Sequence, residues 1–588
     1  MYDENKNIVS TDQQKAALIA KHFKKVLAPD TAEPNTKIYP PHPMTEPFNE
    51  AEIMKATSSM KNGKSCGIDG LNAEYLKYAP EIIHFSVAEL LNKIAATGDH
   101  PEELKLGILT PLPKPGKPKG PPENLRPIVL LSIIRKILTI CILRRTWERV
   151  SSRITIDQAA YQGGRSTTEQ VFAVKMLVEK AITSSDFTIY ELLLDMSKAF
   201  DTVNRNKLFD ALELILLPEE LHLLHLLTNN VKLQVRVGSE LSDEFYTIIG
   251  IMQGDCLSAV LFIFYLAQAL AERNPTEAEH NYAKHMDKYP RSEMDPVNAE
   301  HNYASDIHSL DYFKSAVIIE PKYADDITYV STSKAYIDNT QETIPQKLKL
   351  YNLGVNLSKT EKYTVPDPPN TTTKESWKSC KLLGSIIDTE NDIKRRKALA
   401  MAVLTYHKKV YNSKNLSINQ KIRHYKMYVE STLLYNCELW TLTKTLSDKL
   451  DAFHRRLLRY AIGTVYPKII KNEAIYEITK QRKLSKTIQL RRLSWFGHLM
   501  RLPEETPARQ AFSEAVRPKK NKRGRPKTTW LDTLQRDFDE VKIEINIKDP
   551  KNIPEIVQLC ADRDDYNFKT QTYLRHAGES CTLNFRPP

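Results

Sequence analysis

Apolar residues recur at helical spacing over 12–27, DQQKAALIAKHFKKVL, and predict an amphipathic helix. The Pro-rich stretch that follows predicts a linker to about residue 47, where the first folded domain is expected to begin. FNEAEIMKATSSM reads as a helix, KNGKSCGIDG as a loop marked by three glycines, and AEYLKYAP as a second helix. LGILTPLPK is strand-like and SIIRKILTICILRRTWERV helical, on either side of a Pro-rich loop. QGGRSTTEQ is a glycine turn into the helix VFAVKMLVEKAI. Tyr190 to Leu194 then have buried-strand character, and Asp195 falls where that strand meets a loop. Residues 232–252 alternate as strands, and Gln253 and Gly254 open an apolar helix, LSAVLFIFYLAQALAE. AEHNYA occurs at 278–283 and again at 299–304, which predicts a duplicated surface insertion over 272–312. SAVIIEP and ITYVSTS are two strands separated by KYADD, which is hairpin spacing. From about 394 the pattern is helical with few glycines and predicts a bundle with basic outer faces, followed from 470 by a long basic helix.

At 588 residues the chain exceeds one core and predicts three or four domains. No run approaches the ~20 apolar residues of a membrane helix, and the start lacks the order of a signal peptide. Seven scattered cysteines form no C-x-x-C or Cys/His cluster, so they read as reduced thiols of an intracellular protein, in nucleus, cytoplasm or both. Net charge is +12, compatible with a polyanionic partner. RPKKNKRGRPK, 517–527, holds seven basic residues among eleven. A solvated tail or turn explains such a run as readily as nucleic-acid contact.

If the hairpin forms, Asp325 and Asp326 sit at its tip, and Asp195 ends a strand that pairs beside it. Close carboxylates raise one another's pKa unless cations neutralise them, and hard divalent ions with oxygen ligands do so. Two Mg²⁺ ions, with Mn²⁺ as the alternative, suit phosphoryl transfer. An Asp-Asp turn cap is the competing explanation.

The strings around these acids, in order, resemble the reverse transcriptases of non-LTR (LINE-like) retrotransposons. They run from KNGKSCGIDGLNAEYLK through PLPKPGKPKGPPENLRPIVLLSIIRKIL, DQAAYQGGRSTTEQ, LLLDMSKAFDTVNRNKL, IMQGDCLSAVLFIFYL, KYADD, LGVNLSKTEK and KLLGSIID. They continue as LLYNCELW, LSWFGHLMRLP, RGRPKTTWLDTLQRDF and ADRDDYN. The resemblance implies an α+β right-hand polymerase: fingers and palm over 48–390, a helical thumb over 391–465 and a basic nucleic-acid-binding region over 466–588. It implies that Asp195, Asp325 and Asp326 bind metal with the Met196 carbonyl, and that Phe200 gates against the 2′-hydroxyl. Lys114 and Arg126 would contact the incoming triphosphate, Gln253 and Gly254 would pack the nascent pair, and Lys359 would serve pyrophosphate. Gly384 would mark the primer grip, and Tyr323 would pack under the primer end.

Implied partners are an RNA template, a DNA primer or target, and dNTPs. The endonuclease of intact relatives does not fit in residues 1–47, so a partial reading frame is expected, with nicking supplied elsewhere. Two departures stand out: Asp255 and Cys256 replace a small residue and proline, adding a charge expected near the nucleotide pocket, and the insertion precedes the hairpin. Asp306, in the near-copy NYASDIHSL, is expected to bind no metal. RGRP resembles an AT-hook core, so Arg523, Arg525 and Lys527 are expected to contact nucleic acid. A group II intron maturase and a non-catalytic nucleic-acid-binding relic are the rival readings.

Overall fold

The structure is a computed structural model that describes Met1 and residues 9–271, 316–373, 375–464 and 469–576. The 272–312 insertion, both AEHNYA copies and Asp306 lie outside the described residues. The strands are β1 (Leu106–Pro113), β2 (Leu125–Leu130), β3 (Ile189–Leu194), β4 (Met196–Ser197), β5 (Lys232–Val237), β6 (Glu240–Leu241), β7 (Phe245–Tyr246), β8 (Ile318–Ile319), β9 (Lys322–Tyr323), β10 (Asp326–Ser331), β11 (Gly354–Val355), β12 (Glu361–Val365), β13 (Lys381–Leu382) and β14 (Ser385–Ile386). The principal helices are α1 (Asp12–Leu27), α2 (Ile133–Ser151), α3 (Thr167–Thr183), α4 (Cys256–Ala271), α5 (Thr389–Tyr406), α6 (Leu484–Arg501), α7 (Pro507–Val516) and α8 (Trp530–Glu540). The chain is α+β, as expected, and forms two compact units. One takes residues 1–161, 195–302 and 340–359, the other 162–194, 303–339 and 360–588.

In the first unit the sheet order is β2-β1-β5-β6, with β7 also on β5. β1 and β2 form an antiparallel hairpin with Leu112 opposite Arg126, while β1 and β5 run parallel. Helix α1 starts at Thr11, whose hydroxyl accepts from Gln14 N, and carries Asp12 in its first turn and Lys24 and Lys25 in its last. Those are the charges its dipole favours. Its stripe of Ile19, Phe23 and Leu27 is buried with Leu109, Val129, Leu233 and Phe245. Helix α4 is apolar nearly all round, and accordingly nearly all of it is buried.

The charge of Asp255, expected near the nucleotide pocket, is buried. Asp255 and Arg135 of α2 are buried side by side, with Oδ2 3.5 Å from Nη2. The guanidinium also donates to the carbonyls of Leu104 and Leu227, at 2.8 and 2.6 Å. A carboxylate removed from water needs such a partner, so the two charges neutralise each other inside the unit.

In the second unit the antiparallel sheet runs β12-β3-β10-β8, with β9 on β10. Helix α3, opened by a Ser166/Glu169 capping box, is buried on all faces, charges included. Lys180 Nζ lies 2.6 Å from Glu514 Oε1 of α7, and Glu179 accepts from Trp530 N at 2.6 Å. Phe172 of α3 packs against Trp495 of α6 and Trp530 of α8, with ring centroids 4.4 and 5.0 Å away. The C-terminal helices therefore share one core with α3 and with β3, β10 and β12. A second cluster, from Ile393 to Ile488, holds the helical bundle together.

The basic run is an exposed loop held at both ends. It lies between α7 and α8, and its start is tied to the end of α3 by Ser185 N to Lys520 O at 2.8 Å and Lys522 N to Thr183 O at 3.1 Å.

Glu191 of β3 is fully buried, opposite Val330 and Tyr363. Its Oε2 accepts from the Cys380 thiol and its Oε1 has no hydrogen-bond partner. Burial pushes its carboxyl up to about 8, from 4.5. Between these values the folded chain binds more protons than the unfolded one, so this group's contribution falls as pH rises through that window. Glu191→Gln should therefore raise stability at pH 8 by ~2 kcal/mol, the scale of a buried unpaired polar group, and not at pH 4.5. Chemical denaturation at the two pH values measures this; equal shifts at both would contradict it.

Candidate active site

In the first unit, Asp195 follows directly on the last residue of β3, and the main chain around it is held on both sides. Asn356 N donates to its carbonyl at 2.7 Å, and Met196 and Ser197 pair with Val355 and Gly354. Its Oδ2 is 2.7 Å from Lys359 Nζ, in a pair whose side chains are 34% and 55% exposed, open enough for the lysine to be displaced. Lys198 takes a left-handed turn at φ 50° and starts the short 3₁₀ segment Ala199–Thr202. The half-buried Phe200 ring stacks on Phe262 of α4, with centroids 4.3 Å apart and planes at 22°.

Gln253 and Gly254 are braced against β2. Gln253 O accepts from Val129 N at 2.7 Å, and its side-chain amide donates to Asp201 Oδ1 at 3.0 Å. Gly254 has φ 124°, and a Cβ there would lie 2.4 Å from Val129 O. Both the left-handed backbone and this close approach to β2 demand glycine. Lys114 closes the loop between β1 and β2, donating from Nζ to Glu123 O at 2.8 Å. Burial lowers its pKa, Asp201 opposes that, and Lys198, Arg126 and Lys359 lower it further. Arg126 itself is exposed. The expected Lys114, Arg126 and Lys359 thus share one neighbourhood, together with Lys198, which the sequence reading did not single out.

In the second unit, β9 and β10 form a tight hairpin with Asp326 opposite Tyr323. Ala324, left-handed at φ 55°, and Asp325 make its turn. Asp325 is half-buried and Asp326 exposed. In the next register position Ile327 faces Leu194, the residue before Asp195. Burial raises the pKa of Tyr323, as do Tyr435 and Glu169.

The β13–β14 hairpin turns through Leu383 and Gly384, at φ 46° and 82°, the pair of left-handed residues a two-residue type I′ turn requires. It is clamped from outside. Gly384 O accepts from Arg395 Nη1 at 2.6 Å and from Arg396, whose guanidinium lies over the Tyr435 ring. Tyr435 OH donates to Leu383 O at 2.9 Å. Gly384 is placed as a turn residue, and Arg395, Arg396 and Tyr435 are residues the sequence reading passed over. Arg523, Arg525 and Lys527 lie on the exposed loop, far in sequence from the rest, and no ion pair ties them to an acid among the described residues.

Among the described residues no three His, Cys, Asp or Glu side chains form a ready metal-binding group. The donors expected of the triad are all oxygen, three carboxylates and a main-chain carbonyl, which suits a hard divalent cation. Lys359 holds the position of counter-ion to Asp195.

The family model described as reverse transcriptase (RNA-dependent DNA polymerase) matches residues 112–387. A probable RNA-directed DNA polymerase from transposon X-element of Drosophila melanogaster is 24% identical over 460 residues, which is 74% of this chain and 46% of that protein. A probable RNA-directed DNA polymerase from transposon BS of the same organism is 27% identical over 224 residues, 38% of this chain and 25% of that protein. The chain thus spans less than half the length of these relatives. The solved structure of apo telomerase from Candida tropicalis matches at 11% identity and a TM-score of 0.35, over 80% of this chain and 69% of that one. Reverse transcriptases use divalent metal ions, and no helix among the described residues is long and apolar enough to cross a membrane. The match over residues 112–387 and the similarity to the X-element and BS polymerases support a LINE-like, non-LTR reverse transcriptase.

Proposed function

We propose that this chain extends a DNA 3′-hydroxyl on an RNA template, with dNTPs as substrates and two Mg²⁺ ions as cofactors. The observation that carries the reading is the pairing of β3 with β10: Ile327 faces Leu194, Asp326 precedes the first and Asp195 follows the second. Asp195, Asp325, Asp326 and the Met196 carbonyl would hold the ions. When bound, these supply activation of the attacking hydroxyl and neutralisation of the leaving pyrophosphate.

The chain's own residues do the rest. Lys114 and Arg126 receive the triphosphate, Arg126 through the planar fork that suits phosphate oxygens. Lys359, paired with Asp195 in this structure, would serve the leaving group once ions took its place at that carboxylate. Phe200, stacked on Phe262, would exclude a 2′-hydroxyl. Gln253 and Gly254 form the floor of the nascent pair, and Tyr323 and the Gly384 hairpin hold the primer end. Arg523, Arg525 and Lys527 would contact nucleic-acid phosphates from the pinned loop, a contribution that weakens steeply with salt.

The test is incorporation of dTMP on poly(rA)·oligo(dT) with Mg²⁺. The purified chain should extend the primer and stop when the ion is chelated. Salt-dependent RNA binding without extension would mean a relic that keeps the fold and not the reaction.

A further inference from the structure

Asp201 is 7% exposed. Its carboxylate accepts from the Gln253 side-chain amide at 3.0 Å. The main chain on either side is packed to match. A Cβ at Gly250 would lie 2.8 Å from Asp201 O, Gly250 N donates to Val203 O at 2.9 Å, and Ile251 N donates to Phe200 O at 2.9 Å. The segment carrying Phe200 is thereby joined to the segment that ends in Gln253. Burial pushes the Asp201 carboxyl up to about 6, against the opposing pull of Gln253, Lys198 and Lys114.

A buried carboxylate with no structural cation of its own is costly, so its retention calls for a task. The terminal amide of Gln253 has two roughly equivalent orientations about its last torsion, and a single acceptor fixed in the core selects one of them. We propose that Asp201 is a positioning residue for the incoming nucleotide: it locks the Gln253 side chain in the orientation that packs the sugar and base of a dNTP beside Phe200. The inference rests on the polymerase reading. It concerns nucleotide binding and not the chemical step, because Asp201 touches no reacting group.

Steady-state extension on poly(rA)·oligo(dT) tests it with Asp201→Ala, Asp201→Asn, Gln253→Ala and the Asp201→Ala/Gln253→Ala double variant. Loss of one acceptor in a buried pair should raise KM for dTTP about tenfold with kcat changed less than about twofold. The amide oxygen of Asp201→Asn still accepts from Gln253, so that variant should return KM to near the unsubstituted value. The double variant should be no worse than the poorer single one, since both act through the same side chain. An unchanged KM in Asp201→Ala, additive losses in the double variant, or an Asp201→Asn as impaired as Asp201→Ala would each overturn the proposal. If Asp201→Ala does not fold, Asp201→Asn and Gln253→Ala decide. Binding of a fluorescent dTTP to the chain on a dideoxy-terminated primer is read in parallel. A chain that binds nucleotide in this Asp201-dependent way without turning over fails the polymerase reading alone; a chain that binds none removes both.

Discussion

Asp195→Asn lowers dTMP incorporation on poly(rA)·oligo(dT) by ~10³-fold, the scale of removing one preorganised charge from a site where charge develops. The fold around position 195 does not depend on the carboxylate. Asn356 N holds its carbonyl, and the pairing of β4 with β11 fixes the residues after it. The amide keeps the shape and loses the negative charge, so Lys359 loses its partner, and the divalent ions of the proposed reaction would lose a ligand. Asp325→Asn and Asp326→Asn should behave alike, with circular dichroism unchanged. Residual incorporation above about a tenth of the starting level in any of them would show that the carboxylates do not carry the reaction.

Trp530→Ala destabilises the second unit by about 3–5 kcal/mol, the range for emptying a buried tryptophan site. The indole is fully buried, its Nε1 donates to Glu438 O at 2.9 Å, and its ring meets Phe172 of α3. The cavity would open against α3, at the centre of the core that includes β3 and β10. The substitution lies in the C-terminal region, far in sequence from the acids, and should nevertheless lower the thermal midpoint of the whole unit and abolish extension at 37 °C. A separate, dispensable C-terminal domain would instead leave a distinct unfolding transition and intact extension; that result would contradict the shared core.

The sequence was most informative where one segment satisfies its own geometry. The stripe of Ile19, Phe23 and Leu27 announced α1, the apolar run before Asp195 announced β3, and KYADD announced a turn between strands. It was silent where the decisive contact joins distant segments. Nothing local to Asp255 says that Arg135, 120 positions earlier, neutralises it. Asp201 reads as an ordinary acid near a helix start until Gln253 is seen to donate to it. Arg395, Arg396 and Tyr435 sit in a helix and a short aromatic string, and only the fold brings them to the Leu383–Gly384 turn. The basic run could be read as a charged tail or turn, but not its anchorage, because its anchors lie at the end of α3. Glycine at 254 was expected for approach to substrate; its tightest neighbour is the carbonyl of Val129.

The most direct measurement is Mn²⁺ binding, followed by electron paramagnetic resonance, to the chain assembled with primer, template and dTTP. The account predicts about two ions per chain, lost in Asp195→Asn and Asp326→Asn. Equal binding by the unsubstituted chain and these variants would contradict the claim that these carboxylates hold the ions for polymerisation.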